Sequence, residues 1–139
     1  MKISTPLRII IADDDPDDLE YMKFLFESHK NFEIIGCHKS GLETLETLNG
    51  LDHAPDLLLI DMYMPILTGT EVVENLIAKD IAQSMHIFII STTINPNEQE
   101  KFQDNPKIEF LEKPLTLVQI NDLPGIILEK LNADNTNRI

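Results

Sequence analysis

Carboxylates, a hydroxyl and a lysine follow four short apolar runs in this chain of 139 residues. The runs span residues 9–12, 57–60, 87–90 and 110–111, and the polar groups that follow belong to Asp13, Asp61, Ser91 and Lys113. Short, largely β-branched apolar runs are typical of strands buried on both faces of a parallel sheet. Because ligands bind at the carboxyl ends of such strands, we expect these groups to meet at one edge. Acids, a hydroxyl and a cation there would form a site for a divalent metal and a phosphoryl group.

Acidic residues are crowded after the first of these runs. Five carboxylates fall within six positions, at Asp13, Asp14, Asp15, Asp17 and Asp18. Crowded carboxylates repel one another and raise each other's pKa, so a cation or solvent must relieve them. A solvated loop that caps a helix is the common alternative, but the position at a strand end favours a metal. Mg²⁺ takes one or two carboxylates, keeps several waters and engages a substrate phosphate.

Asp61 is the candidate nucleophile. It begins the segment Asp-Met-Tyr-Met-Pro, and Gly69 follows shortly after. A carboxylate can attack phosphorus and form an aspartyl phosphate, and the developing charge needs cations, which Lys113 and Mg²⁺ would supply. A single aspartate at a strand end is often only a turn former, and Ser91 alone would be a helix cap. The assignment therefore depends on the whole set.

Strand-like and helix-like segments alternate five times, which predicts a parallel sheet with helices on both faces. The predicted strands cover residues 7–12, 32–37, 56–60, 86–90 and 108–111, and the predicted helices cover 16–29, 41–49, 70–79, 97–103 and a stretch from about 116. Asp14 or Asp15 should cap the first helix. Pro124 and Gly125 interrupt the last helical pattern, so we expect a break there. We divide the chain into an extension of residues 1–6, one domain at 7–131 and a polar, frayed tail at 132–139.

Composition excludes several classes of function. A formal net charge of −13 argues against direct nucleic-acid binding, which needs a basic surface. No apolar run approaches the ~20 residues that cross a bilayer, and the amino terminus lacks a signal-peptide pattern. The single Cys37 cannot form an internal disulfide, and we predict a cytoplasmic protein without membrane insertion. The four histidines, which we interpret as structural or solvated, are His29, His38, His53 and His86.

The ordered set of motifs resembles the receiver domains of two-component response regulators, including single-domain chemotaxis-type regulators, over residues 7–131. Their acidic pair after strand one is matched by Asp13 and Asp14, their Asp-x-x-Met-Pro-x-x-x-Gly motif by Asp61, Met64, Pro65 and Gly69, their Thr or Ser after strand four by Ser91, and their Lys-Pro by Lys113 and Pro114. Ser91 lies 30 positions and Lys113 lies 52 positions after Asp61, as in the family.

The resemblance implies a flavodoxin-like, doubly wound sheet of five parallel strands. It also implies that Asp61 accepts a phosphoryl group from a histidine kinase or a histidine phosphotransfer protein. The implied Mg²⁺ ligands are Asp14, Asp61 and the backbone carbonyl of Tyr63, with Asp13 supporting them through water. Lys113 and Ser91 would bind the phosphoryl group, and Ser91 and Phe110 would act as a switch toward helix four, strand five and helix five. Pro65, Gly69 and Pro114 would shape the loops.

The chain departs from the family pattern in four places. Ser91 stands where the family often has Thr but keeps the hydroxyl, Phe110 stands where it often has Tyr, and Thr92 stands where it often has Ala or Gly. The usual Gly-Ala pair before strand five is absent. None of these changes removes a group that the chemistry needs. We therefore expect ordinary phosphoryl chemistry and an unusual signalling surface.

We predict a stand-alone receiver, because only a short tail follows the domain, and an activity limited to its own phosphorylation and dephosphorylation. One alternative is a phosphohydrolase with Asp61 as the nucleophile. Such an enzyme needs a general acid and a substrate-closing cap, but Met62 follows Asp61 and no insertion could form a cap. The other alternative is a degenerate receiver that binds partners without phosphorylation, which the intact acids and Lys113 disfavour.

Overall fold

A computed structural model describes residues 5–137, with side chains as far as residue 132. The strands are β1 (Leu7–Ala12), β2 (Phe32–His38), β3 (Leu57–Asp61), β4 (His86–Ser91) and β5 (Ile108–Glu112), and the helices are α1 (Pro16–Glu27), α2 (Gly41–Gly50), α3 (Gly69–Ala78), α4 (Pro96–Glu100) and α5 (Leu117–Asn137). All strand pairs are parallel, in the order β2-β1-β3-β4-β5. This is the flavodoxin-like, doubly wound order, and it confirms the predicted fold.

Both faces of the sheet are covered, which explains why the strands are continuously apolar. Successive residues of β1 point to opposite faces, so Ile10 packs with α2 and α3 while Ile11 packs with α1 and α5. Every residue of β3 is buried. The central strands therefore leave only their carboxyl ends open to carry polar chemistry.

Helix starts at the carboxyl edge follow local capping rules. Asp15 caps α1, since its side chain accepts from the backbone N–H groups of Asp17 and Asp18, and Pro16 occupies the first turn. Thr68 and Glu71 form a reciprocal capping box at α3. Helix α4 ends at Glu100, earlier than the predicted 103.

The predicted break at Pro124 is wrong, because α5 continues through this residue. Pro124 is buried, and Leu123, Ile127 and Leu131 pack into one core cluster on either side of it. This packing holds the turns before and after the proline, so the lost N–H hydrogen bond does not end the helix.

Helix α5 extends into the predicted tail at residues 132–139. The α5 backbone runs to Asn137, and no glycine or proline follows residue 125 to stop it. Residues 138–139 of the predicted tail, and 1–4 of the predicted extension, lie outside the described residues. Within residues 5–137, none of the helices has both the length and the apolar character needed to cross a membrane.

Candidate functional site

The carboxyl edge of the sheet brings the predicted acids together. Asp13 follows β1 and Asp61 ends the neighbouring β3, and both residues are buried. Asp14 is exposed, yet one oxygen from each of the three carboxylates lies within 4.8 Å of the others. The cluster is thus buried on the sheet side and open to solvent through Asp14.

Lys113 reaches this cluster from the end of β5. Its Nζ lies 3.0 Å from Asp13 Oδ2 and 3.2 Å from Asp61 Oδ2, and a third carboxylate, that of Asp18, lies 3.3 Å away. The backbone N–H of Lys113 donates to the carbonyl of Ser91 at 2.7 Å, which ties the end of β5 to β4. Burial opposes the ammonium charge, but Asp13 and Asp61 outweigh it and raise the pKa of Lys113.

Burial also shifts the pKa values of the buried acids. It raises the pKa of Asp13 to about 6, although a backbone hydrogen bond from Asp15 to Oδ1 (2.9 Å) and the ammonium of Lys113 act in the opposite direction. Burial likewise raises the pKa of Asp61, and Lys113 counters it. Crowded carboxylates near one ammonium therefore hold excess negative charge, which a divalent cation would relieve.

The donor set fits Mg²⁺. Asp13 Oδ2 is buried and accepts no hydrogen bond, although it pairs with the charge of Lys113. Carboxylate oxygens are the ligands that Mg²⁺ prefers, and among the described residues these three acids are the one such cluster of possible metal ligands. The backbone N–H of Tyr63 lies 3.4 Å from Asp61 Oδ1, so the Tyr63 peptide is near the cluster, and the role of its carbonyl stays a prediction.

Gly69 is required by the backbone that carries Asp61. Its N–H donates to the carbonyl of Met62 at 2.7 Å, and a Cβ at this position would lie 2.4 Å from the carbonyl oxygen of Asp61. No real Cβ occupies such a position, so any other residue would displace the loop. Gly69 therefore acts through the position of the Asp61 backbone.

Comparison with known proteins decides the family. Residues 9–123 match the family model for the response regulator receiver domain. The chain belongs to this family. The solved receivers include the response regulator domain of Thermotoga maritima CheB (TM-score 0.72, 21% identity, 94% of this chain and 97% of that one). A CheY-like receiver domain protein from Methanospirillum hungatei has a TM-score of 0.70 and 25% identity, with 95% of this chain and 98% of that one covered.

Curated relatives differ in length from this receiver. The response regulator DivK of Brucella anthropi is 27% identical over 121 residues, which cover 81% of this chain and 88% of DivK. A protein-glutamate methylesterase/protein-glutamine glutaminase of Myxococcus xanthus is 25% identical over 136 residues. That match covers 96% of this chain but 38% of the relative, and a second methylesterase relative is covered to 36%. The chain thus spans well under half of the methylesterase relatives.

The two switch candidates of this receiver have other partners. Ser91 is buried, and its hydroxyl donates to the carbonyl of Thr93 at 2.6 Å while the Thr93 N–H points back to it at 3.3 Å. The ring of Phe110 packs against the ring of Phe102, with centroids 6.2 Å apart. The structure places Ser91 at the carboxyl end of β4, and it holds the side chains of Ser91 and Phe110 by contacts outside the acidic cluster.

Three contacts at or next to the receiver site were not predicted from the sequence. They are those of Asp18 with Lys113, Thr93 with Ser91 and Phe102 with Phe110. Asp18 carried a signal, because it lies in the first turn of the helix that begins at the carboxyl edge. The loop contact of Thr93 and the ring contact of Phe102 carried none, because they depend on tertiary geometry.

Proposed function

We propose that this receiver accepts a phosphoryl group on Asp61 from the phosphohistidine of a histidine kinase or phosphotransfer protein, and that phosphorylation switches binding of a partner protein. The observation that supports it is the contact of the buried Asp61 carboxylate with the Lys113 ammonium (3.2 Å), beside two further acids at an open edge. Operation without an attached output domain, in the cytoplasm, stays a prediction.

In the proposed reaction a carboxylate oxygen of Asp61 attacks phosphorus. The new O–P bond forms as the P–N bond to the donor imidazole breaks, and the imidazole keeps the electron pair and takes up a proton. The Lys113 ammonium lies close enough to the Asp61 carboxylate to contact the phosphoryl oxygens and stabilise their negative charge. Mg²⁺, held by Asp14, Asp61 and the Tyr63 carbonyl with Asp13 behind them, would neutralise phosphoryl charge.

Signalling would use Ser91 and Phe110. The Ser91 hydroxyl would leave the Thr93 carbonyl for a phosphoryl oxygen, and Phe110 would move into the space vacated. The change favours one state only if the phosphoryl group contacts the two states differently, and the exchange of a hydrogen-bond acceptor by Ser91 supplies that difference. We infer that the receiver has no catalytic activity beyond its own phosphorylation and dephosphorylation.

A direct test is phosphorylation in vitro. The chain is incubated with Mg²⁺ and acetyl phosphate, and intact and peptide masses locate the added phosphate. We expect one acid-labile phosphate on Asp61 and none on Asp61→Asn, which keeps the shape but lacks the nucleophile. Asp52→Asn is the matched control, because Asp52 is an exposed carboxylate outside the cluster. Full labelling of Asp61→Asn would show that the nucleophile is another residue.

A further inference from the structure

The Lys113 ammonium is shared by more carboxylates than the proposed reaction uses. An ammonium has three donors, and Nζ lies within 3.3 Å of Asp13, Asp18 and Asp61. Asp13 and Asp61 also belong to the acidic cluster that fits a metal, whereas Asp18 does not. The ion pair of Asp18 with Lys113 therefore involves no carboxylate of that cluster.

Helix α1 fixes Asp18 in this place. The backbone N–H of Asp18 donates to the capping carboxylate of Asp15 at 3.3 Å. Asp18 lies in the first turn of α1, which begins at Pro16 shortly after the end of β1. Its side chain is 36% exposed, against 15% for Lys113. The ion pair between Asp18 and Lys113 is therefore partly exposed to solvent, and breaking it costs little free energy.

We propose that Asp18 is a positioning residue that competes with the phosphoryl group for the Lys113 ammonium and so weakens the receiver's hold on that group. The proposal rests on the proposed acceptance of a phosphoryl group at Asp61. A phosphoryl group on Asp61 needs the ammonium that Asp18 also binds. A cation held by Asp14 and Asp61, with Asp13 behind them, would weaken the attraction of Asp13 and Asp61 for Lys113 but would leave that of Asp18 unchanged.

The test measures affinity for beryllofluoride, a phosphoryl mimic, in the presence of saturating Mg²⁺. Neutral Asp18→Asn and Asp18→Ser should bind it about two- to five-fold more tightly than the wild type, the range expected for a partly exposed ion pair. Asp18→Glu keeps the carboxylate and should stay close to the wild type. Asp17→Asn is the matched control, since Asp17 is an exposed neighbour with no ion pair to Lys113.

The directions of the changes in beryllofluoride affinity and in melting temperature distinguish competition from a structural role. Loss of the ion pair should leave the metal-free melting temperature unchanged or slightly lower, while the affinity rises. A structural defect would lower both. Unchanged or weaker binding by both neutral variants, or tighter binding by Asp17→Asn as well, would overturn the role of Asp18. Failure of the wild type to bind beryllofluoride would instead overturn the proposed function itself.

Discussion

The acidic cluster and the switch pair differ in how far they are assembled in this structure. Lys113 already contacts Asp61 and Asp13, so the charged groups of the proposed reaction stand in place. The Ser91 hydroxyl instead bonds to Thr93, and the Phe110 ring packs on Phe102. In the proposed mechanism the charged groups are therefore in place before a phosphoryl group arrives, whereas Ser91 and Phe110 must exchange one set of contacts for another.

Electrostatics explains why the two regions are built differently. The cluster holds buried carboxylates against one ammonium, and burial raises the pKa of both Asp13 and Asp61. Such a region destabilises the metal-free fold and gains when a cation binds. The switch region contains neutral groups with satisfied contacts, so its two arrangements can lie close in free energy.

The largest expected effect concerns the link between the two regions. Ser91→Ala should still be phosphorylated at Asp61, because the cluster is unchanged, but it should lose most of the amide chemical-shift response of α4 and β5 to beryllofluoride. Ser84→Ala, an exposed serine-to-alanine change outside the site, is the matched control and should respond like the wild type. An undiminished response of Ser91→Ala would leave Ser91 as a loop cap.

The second effect is the pH dependence of the metal-free protein. Burial raises the pKa of Asp13 from 3.8 to about 6, so the folded state binds this proton more tightly than the unfolded chain. The contribution to stability is present below the unfolded pKa and is lost as the pH rises to 6, by at most about 3 kcal/mol. Asp13→Asn should remove the Asp13 contribution and leave that of Asp61. The variant should be more stable than the wild type at pH 7 without metal but not at pH 4.

Urea unfolding at several pH values measures this difference directly. Asp52→Asn serves as the control, because Asp52 is exposed. If Asp13→Asn were less stable than the wild type at pH 7 without metal, the buried carboxylate would be a stabilising group. The contrast between a strained cluster and a relaxed switch would then fail.

A smaller effect concerns the metal. Mg²⁺ at ten times its dissociation constant should stabilise the wild type by about 1.4 kcal/mol. Asp14→Ala should abolish that shift, since it removes the exposed ligand of the cluster. Thermal melts with and without Mg²⁺ measure it, with Asp17→Asn as the acidic-run control. A shift that survives in Asp14→Ala would show that the cation binds elsewhere.

The sheet and the acidic cluster could be predicted from the sequence, because each depends on short apolar runs and on the polar residues that directly follow them. The apolar runs before Asp13 and Asp61 are long enough for one buried strand each, and parallel order forces their carboxyl ends to meet. Pro124 shows the opposite case, because the turns around it are held by tertiary contacts of Leu123 and Ile127. Side-chain choices among several acceptors, such as Ser91 toward Thr93, likewise depend on loop geometry.

The smallest effect concerns backbone strain beside the cluster. Ile66 is fully exposed and has a φ of 72°, and the N–H of Leu67 donates across it to the carbonyl of Pro65 at 2.7 Å. A turn over three residues with positive φ is rare and strained, most of all for a β-branched residue. Gly adopts a positive φ without a clash of Cβ, and Asn tolerates a positive φ better than a β-branched residue does. The exposed side chain of Ile66 loses no packing when it is replaced.

Ile66→Gly and Ile66→Asn should therefore stabilise the fold by about 0.5–1 kcal/mol, after allowance for the greater freedom of glycine in the unfolded chain. Asp80 has a φ of 58°, but aspartate tolerates a positive φ better than isoleucine does. Asp80→Gly should therefore stabilise the fold less than Ile66→Gly. The gain at Ile66 should be the same at pH 5 and pH 7 and should add to that of Asp13→Asn, because strain in φ does not depend on charge. Urea unfolding of the single and double variants measures both points. A gain that vanishes in the Asp13→Asn background would mean that the loop strain and the buried charge are one effect.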